Sequence, residues 1–412
     1  MKKRLIILFD EYPFRPAEYS FVRRELEELI EHFNVSIISL SPSTEQEMTI
    51  DRRITLYHCI RKFGVKEKVE AVIKFLFSRQ GFDEIKRILK SGQNMIGCLY
   101  DSLAFFSSAD QLCKYVKRNH IIRGDELVYS YWFNANCLAF LMNKKKYPEM
   151  KVVSRIHNYD LYNERSLHNR QPFKEYMDEA VDKIFFVADA GLQYYIQHWG
   201  SADNIGHKYI IARIGSICDS FCANYASFEK KEFFRIVSCS HVIPLKRVNL
   251  IIDGLAEITD FPVSWIHFGA GTHYEETTEY ARKKLSDNDN ISYEMPGFVP
   301  VEEIMKFYAE HYVDCFLTAT SVEGSPVSIQ EAMAYGIPII ATAVGEIPNM
   351  IVGNGILLSE NPLPEEIVDA IKCLYKATGE EVQRMREASR KIWENKYNAV
   401  KNAKMFVELL NF

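Results

Sequence analysis

Glu323 and Glu331 stand eight positions apart in "SVEGSPVSIQEAMAYGIPIIAT" (321–342), with Gly324, Ser325 and Pro326 following the first acid. Carboxylates accept hydrogen bonds from pairs of hydroxyls, so each acid could hold one sugar ring. Serine as N-cap and proline at the first helical position is a favoured helix start. Gly336 and Pro338 supply the stop. The spacing predicts a helix over 326–335, roughly 15 Å long, with Glu323 just before its N-terminus and Glu331 ~7.5 Å down its axis from that start. Its N-terminus would offer unpaired N–H groups and partial positive charge, which suits a phosphate. A diphosphate at that terminus, with one acid for ribose and one for a second sugar, fits a nucleotide sugar. As isolated residues the two acids read more plainly as a solvated loop residue and a surface helix residue. The cap and the preceding strand shift the balance toward a site.

Such a site needs a scaffold. Over 412 residues, short apolar runs alternate with amphipathic stretches, which predicts two α/β domains with parallel sheets. Candidate strands are 4–9, 34–40, 126–131, 151–156, 183–188 and 208–214, then 233–240, 263–269, 291–297, 313–319, 337–342 and 355–359. Phe21, Val22, Leu26, Leu29, Ile30 and Phe33 recur at helical spacing between the first two strands. Residues 62–120 read as mostly helical. The aperiodic stretch 215–233 reads as the connection between domains. The expected division is 1–215 with a crossover helix 395–412, and 216–394. Two doubly wound sheets facing across a cleft would place ligands beyond their strand C-termini.

Composition narrows the function. A net charge of −5 argues against nucleic acid as a partner. Nine scattered cysteines without a C-x-x-C pair read as reduced thiols. The apolar run 5–9 ends at Asp10 and Glu11, too short for a leader, and nothing approaches the ~18 apolar residues of a membrane span. The expected location is the cytoplasm, extending to the inner face of the plasma membrane. In "RKFGVKEKVEAVIKFLFSRQ" (61–80), lysines interleave with apolar residues. An anionic membrane surface is one reading; a solvated helix face packed on the first domain is the weightier one.

"EGSPVSIQEAMAYGIPIIATAVGEIP" resembles the E-x7-E region of the retaining glycosyltransferases of family four, which have the two-domain GT-B fold. The resemblance implies that Glu323 contacts the donor sugar, that Glu331 holds the ribose hydroxyls, and that Gly324, Ser325, Pro326 and Val327 face sugar and diphosphate. "SCSHVIPLKRVNLII" resembles the segment in which a lysine, here Lys246, neutralises the diphosphate. "EMPGFVPVEEIMKFY" resembles the nucleobase loop, around Phe298 and Val299. "SRIHNYDLYNER" resembles the segment whose histidine, here His157, touches the donor sugar. Alone, His157 reads as a capping histidine and Lys246 as a solvated charge; their order along the chain carries the inference.

Two features depart from the family pattern. His241 stands where an arginine is common, and Arg247 is the expected substitute on the phosphate. "DEYPFRPAEYSF" replaces a glycine-rich loop, and it puts Glu18, with Asp160, on the acceptor side. The resemblance implies a retaining, metal-independent hexosyltransferase without a cofactor. It would move a sugar from a UDP- or GDP-linked donor to a sugar or lipid-linked saccharide acceptor in polysaccharide or glycoconjugate synthesis. Two alternatives stay open: a noncatalytic sugar-nucleotide-binding partner of another transferase, and a nucleotide-sugar epimerase of the same fold. A dehydrogenase fits poorly, since no G-x-G-x-x-G follows the first strand.

Overall fold

The computed structural model describes residues 2–411 apart from 17, 63 and 219–231. Met1–Arg213 with Ala403–Phe412 forms one compact unit, and Ile214–Asn402 forms another.

The first unit is built on a seven-stranded sheet of β1 (Arg4–Phe9), β2 (Asn34–Ser39), β3 (Thr55–His58), β4 (Leu127–Ser130), β5 (Lys151–Ile156), β6 (Lys183–Phe186) and β7 (Tyr209–Ile211). Their order is β3-β2-β1-β4-β5-β6-β7, every pair parallel. Strands covered on both faces need apolar residues at nearly every position, and Leu5 to Phe9 are all fully buried. The helix Tyr19–His32 packs through Val22, Leu26, Leu29 and Ile30, whereas Phe21, expected in the core, is exposed. The helical reading of 62–120 resolves into Val65–Phe77, Arg79–Ser91 and Met95–Arg118. The edge strand β3 was not anticipated. Its residues are half-buried or exposed, so no buried apolar run marks it.

Phe406, in the tail helix Ala399–Leu409, is buried in this unit. Its ring meets Tyr129 at 5.0 Å and Phe185 at 4.9 Å, under the Arg155 guanidinium at 4.3 Å. Arg155 in turn pairs with Glu25 at 2.5 Å in full burial. Truncating a ring in such a place typically costs about 3–5 kcal/mol.

The second unit carries β8 (Phe234–Cys239), β9 (Val263–Phe268), β10 (Ile291–Gly297), β11 (Cys315–Thr318), β12 (Ile339–Thr342) and β13 (Gly355–Leu358), ordered β10-β9-β8-β11-β12-β13 and all parallel. Counted from β8, this is the 3-2-1-4-5-6 order of a doubly wound nucleotide-binding sheet. Its strand order reverses between β8 and β11, where such sheets open a crevice at their C-terminal edge. The expected connection 215–233 falls mostly outside the described residues. Its start is fixed within the second unit: Ser216 exchanges backbone bonds with Tyr397 and Ala399, and its Oγ accepts from Trp393 Nε1 at 2.8 Å.

Candidate functional site

Two loops of the second unit leave the sheet at the reversal point. The one after β8 turns through the short 3-10 segment Pro244–Lys246, and the one after β11 leads into the helix Val327–Ala334. They are stitched together at Leu245, whose carbonyl accepts from the Ser321 N–H at 2.8 Å and from the Ser321 and Thr320 hydroxyls at 3.1 and 3.3 Å. This seam sets Lys246 against Glu323, with Nζ 2.6 Å from Oε1. A second constraint comes from the turn after β12. Glu346 N–H donates to Gly324 O at 3.0 Å. Gly345, at φ +55°, lies so close that a Cβ would come within 1.7 Å of Glu323 O. Gly345 and the backbone N–H of Glu346 in "AVGEIP" therefore fix the backbone of "EGSP".

The helix start differs from the expected one. Pro326 is itself the N-cap, in extended conformation with ψ 117°, and the helix begins at Val327. Ser325 caps nothing; its Oγ accepts from Gln330 Nε2 at 2.9 Å. Proline has no N–H and already holds its φ near the required value, so the chain turns into the helix one residue later. The first amides, from Val327 onward, keep the unpaired character of a helix N-terminus. The stop is as expected. Gly336 adopts φ +66°, with Gly336 N–H on Met333 O and Ile337 N–H on Ala332 O, a Schellman closure.

Glu331 lies ~6 Å along the axis from Val327. It keeps partial surface exposure, yet protein surrounds it closely enough that burial pushes its carboxyl up to about 8. It faces the end of β8: burial, then the Glu331 charge, raises the Cys239 thiol to about 12, and burial, then Cys239 and Glu331, raise the Tyr308 hydroxyl.

The other expected donor residues divide. His241 and Phe298 are exposed and Val299 is half-buried. The Arg247 guanidinium, expected to substitute on the phosphate, donates to the carbonyls of Ala319 (2.5 Å), Thr320 (2.9 Å) and Glu360 (2.8 Å) and to Asn361 Oδ1 (3.1 Å). Its fork braces the end of β11.

In the first unit the sheet order reverses between β1 and β4; Glu18 follows β1, while His157 and Asp160 follow the neighbouring strand β5. The His157 ring meets Tyr131 and Trp132 at 4.7 and 4.6 Å, and Nε2 lies 3.1 Å from Tyr131 O. A carbonyl partner requires the proton on Nε2, which leaves Nδ1 as an acceptor. Burial, reinforced by Arg155, lowers His157 to about 3, so the ring is neutral. Glu18 and Asp160, expected on the acceptor side, are both buried, each bonded to its own loop and to the loop after β4. Glu18 accepts from the backbone N–H of Asp10 (3.1 Å), Glu11 (3.0 Å) and Tyr12 (2.7 Å), and from Trp132 Nε1 (2.5 Å). Asp160 accepts from the N–H of His157 (2.6 Å) and Phe133 (2.5 Å). Both position the rim. Sequence reasoning missed Trp132, Asn134 and Asn136, the last two of which donate to Asp10 at 3.0 and 2.5 Å. The signal was "YWFNAN" directly after a predicted strand.

Residues 224–392, most of the second unit, match the Glycosyl transferases group 1 family model. Over 76 residues the chain is 38% identical to a putative colanic acid biosynthesis glycosyltransferase, WcaL, of Salmonella typhimurium strain LT2. That match covers 16% of this chain and spans 18% of the relative's length. Among solved structures, sucrose-phosphate synthase of Thermosynechococcus elongatus aligns with a TM-score of 0.69 at 12% identity, over 99% of this chain and 98% of its own. The lipopolysaccharide outer core galactosyltransferase WaaB in its apo form gives 0.67 at 15%, over 98% of both chains. Anabaena HepE in complex with UDP and glucose gives 0.65 at 14%, over 99% of both. The fold is thus GT-B, with two Rossmann-like α/β domains.

Proposed function

We propose that this chain, with its group 1 glycosyltransferase domain on a GT-B fold, is a retaining, metal-independent glycosyltransferase that uses a nucleoside diphosphate sugar. The observation that carries the reading is the pairing of Lys246 with Glu323 at the mouth of a helix N-terminus, where the second sheet reverses its order. The donor diphosphate sits over the Val327 amides and draws Lys246 away from Glu323. The freed Glu323 carboxylate then accepts hydroxyls of the transferred sugar. Glu331, further along the helix, takes the ribose hydroxyl pair. As the anomeric bond breaks, negative charge builds on the leaving diphosphate, and the Lys246 ammonium and the amides stabilise it.

The acceptor hydroxyl attacks from the face the diphosphate leaves, and its proton passes to a leaving phosphate oxygen, so configuration is retained. Neutral His157, with Nδ1 as acceptor, orients a donor-sugar hydroxyl. A UDP-linked donor is favoured, since HepE has been solved with UDP and with UDP-glucose. The similarity to WcaL and WaaB supports a role in polysaccharide synthesis with a saccharide acceptor.

The test is a thermal-shift screen of UDP- and GDP-sugars, followed by NMR of the glycosidic product. One nucleotide series should stabilise the protein by mass action, and the product should keep the donor's anomeric configuration. Failure of both series to stabilise, or an inverted product, would overturn the reading.

A further inference from the structure

The helix Val65–Phe77 has two apolar faces, and only one of them is covered. Ala71 and Phe75 are buried, with the Phe75 ring 5.5 Å from Phe106. On another side, ~140° round the helix, Val65, Val69, Val72, Ile73, Leu76 and Phe77 follow the i, i+4, i+7, i+8, i+11, i+12 spacing of a buried stripe, yet all six are exposed. The expectation that this helix would bury its apolar side on the first domain therefore holds for only two residues. Phe82 on the next helix is exposed as well. An apolar stripe of this length left in water is unusual unless something covers it.

Its charges say what that is. Residues 62–91 hold eight Lys and Arg against four Asp and Glu, in a chain whose net charge is −5. Lys66 and Lys68 border the stripe on its two sides and are exposed, where long side chains can lay their stems along apolar surface and reach outward with their ammonium groups. Lys74, by contrast, is engaged with Asp110 at 2.7 Å. Apolar residues flanked by outward lysines are complementary to an anionic phospholipid surface, with the stripe in the acyl boundary and the lysines at the headgroups. A protein partner of this overall acidic chain would need no local reversal of charge. Among the described residues no helix is long and apolar enough to cross a membrane, so the contact is peripheral. We infer that the 65–77 helix docks the first domain onto an anionic bilayer.

The experiment is flotation of the full chain with vesicles of phosphatidylethanolamine and phosphatidylglycerol, against vesicles of phosphatidylcholine alone. It uses neither donor nor acceptor, so it stands or falls separately from the glycosyltransferase reading. Val65→Ser/Phe77→Ser removes the most exposed stripe residues, 79% and 88% accessible, without touching the core. Lys66→Glu/Lys68→Glu reverses the border. The wild type should float with the anionic vesicles only, and each double variant should bind about tenfold more weakly while its melting temperature stays unchanged. Failure of the wild type to float, or undiminished binding by the serine variant, would overturn the inference. So would a dimer of the wild type that the serine variant abolishes, since the stripe would then be an interface between copies.

Discussion

In the second unit the ammonium of Lys246 lies 2.6 Å from Oε1 of Glu323, and the two side chains are only 18% and 19% exposed. One residue follows β8 and the other follows β11, so the pair joins the two loops that flank the reversal of strand order. Each charge satisfies the other. In the proposed function a diphosphate would compete for the lysine, and that exchange would prepare the acid for the sugar.

Glu323→Gln separates binding from turnover. Lys246 loses its internal partner, so nucleotide diphosphate should bind at least as tightly as to the wild type, by calorimetry. Turnover with the full donor should fall roughly 10²–10³-fold, the scale of losing one contact that strengthens in the transition state. Weakened nucleotide binding with unchanged kcat would contradict this division of roles.

Glu331 should make donor affinity pH-dependent. With its carboxyl raised to about 8 by burial, it is mostly protonated at pH 6, and in the proposed function the carboxylate is the form that would accept two ribose hydroxyls. Affinity for the best-stabilising nucleotide sugar should therefore rise roughly 50- to 100-fold from pH 6 to pH 8.5 and level off above about pH 9. Glu331→Gln should give a flat profile and weaker binding at pH 8.5. A wild-type profile that falls with pH would reverse the assignment.

Gly345→Ala tests the support beneath "EGSP". A Cβ would meet Glu323 O at 1.7 Å, at a φ of +55° that alanine rarely adopts. Urea denaturation should show a loss of about 2 kcal/mol or more, and any variant that folds should lose nucleotide binding with it. Wild-type stability would mean the turn is not held as described.

His157 should weaken the fold in acid. Its pKa is lowered to about 3 when folded and lies near 6.5 in an unfolded chain. Between those values the unfolded state binds more protons, so stability falls as pH drops from about 6.5 toward 3. His157→Gln should remove part of that slope in denaturation curves taken at pH 7 and pH 4. An unchanged slope would place the ring in a solvated, ionisable setting.

The parallel strands were readable because burial on both faces favours continuous apolar runs, as in Leu5 to Phe9 of β1. The half-covered edge strand β3 carries no such run. The helix that carries the candidate site was readable where backbone geometry fixes residue type and position together, as in Gly336 closing it. Side-chain pairing was unreadable where partners are distant in sequence. Nothing near Arg247 shows that four acceptors around Ala319 and Asn361 would claim its guanidinium. Nothing near Glu18 shows that Trp132, 114 residues away, would bond it. The stripe on the 65–77 helix was visible as a pattern, but only packing decides which of two apolar faces is covered.

The central claim is that the Lys246–Glu323 pair opens to a nucleoside diphosphate without a metal. Titration calorimetry of UDP and GDP into the purified protein in excess EDTA, repeated on Lys246→Ala, tests it most directly. One nucleotide should bind with one-to-one stoichiometry in EDTA, and the variant should weaken it by about 10- to 100-fold, the scale of removing one charge-assisted contact from a phosphate. No binding of either nucleotide to the wild type, or undiminished binding to the variant, would contradict the claim.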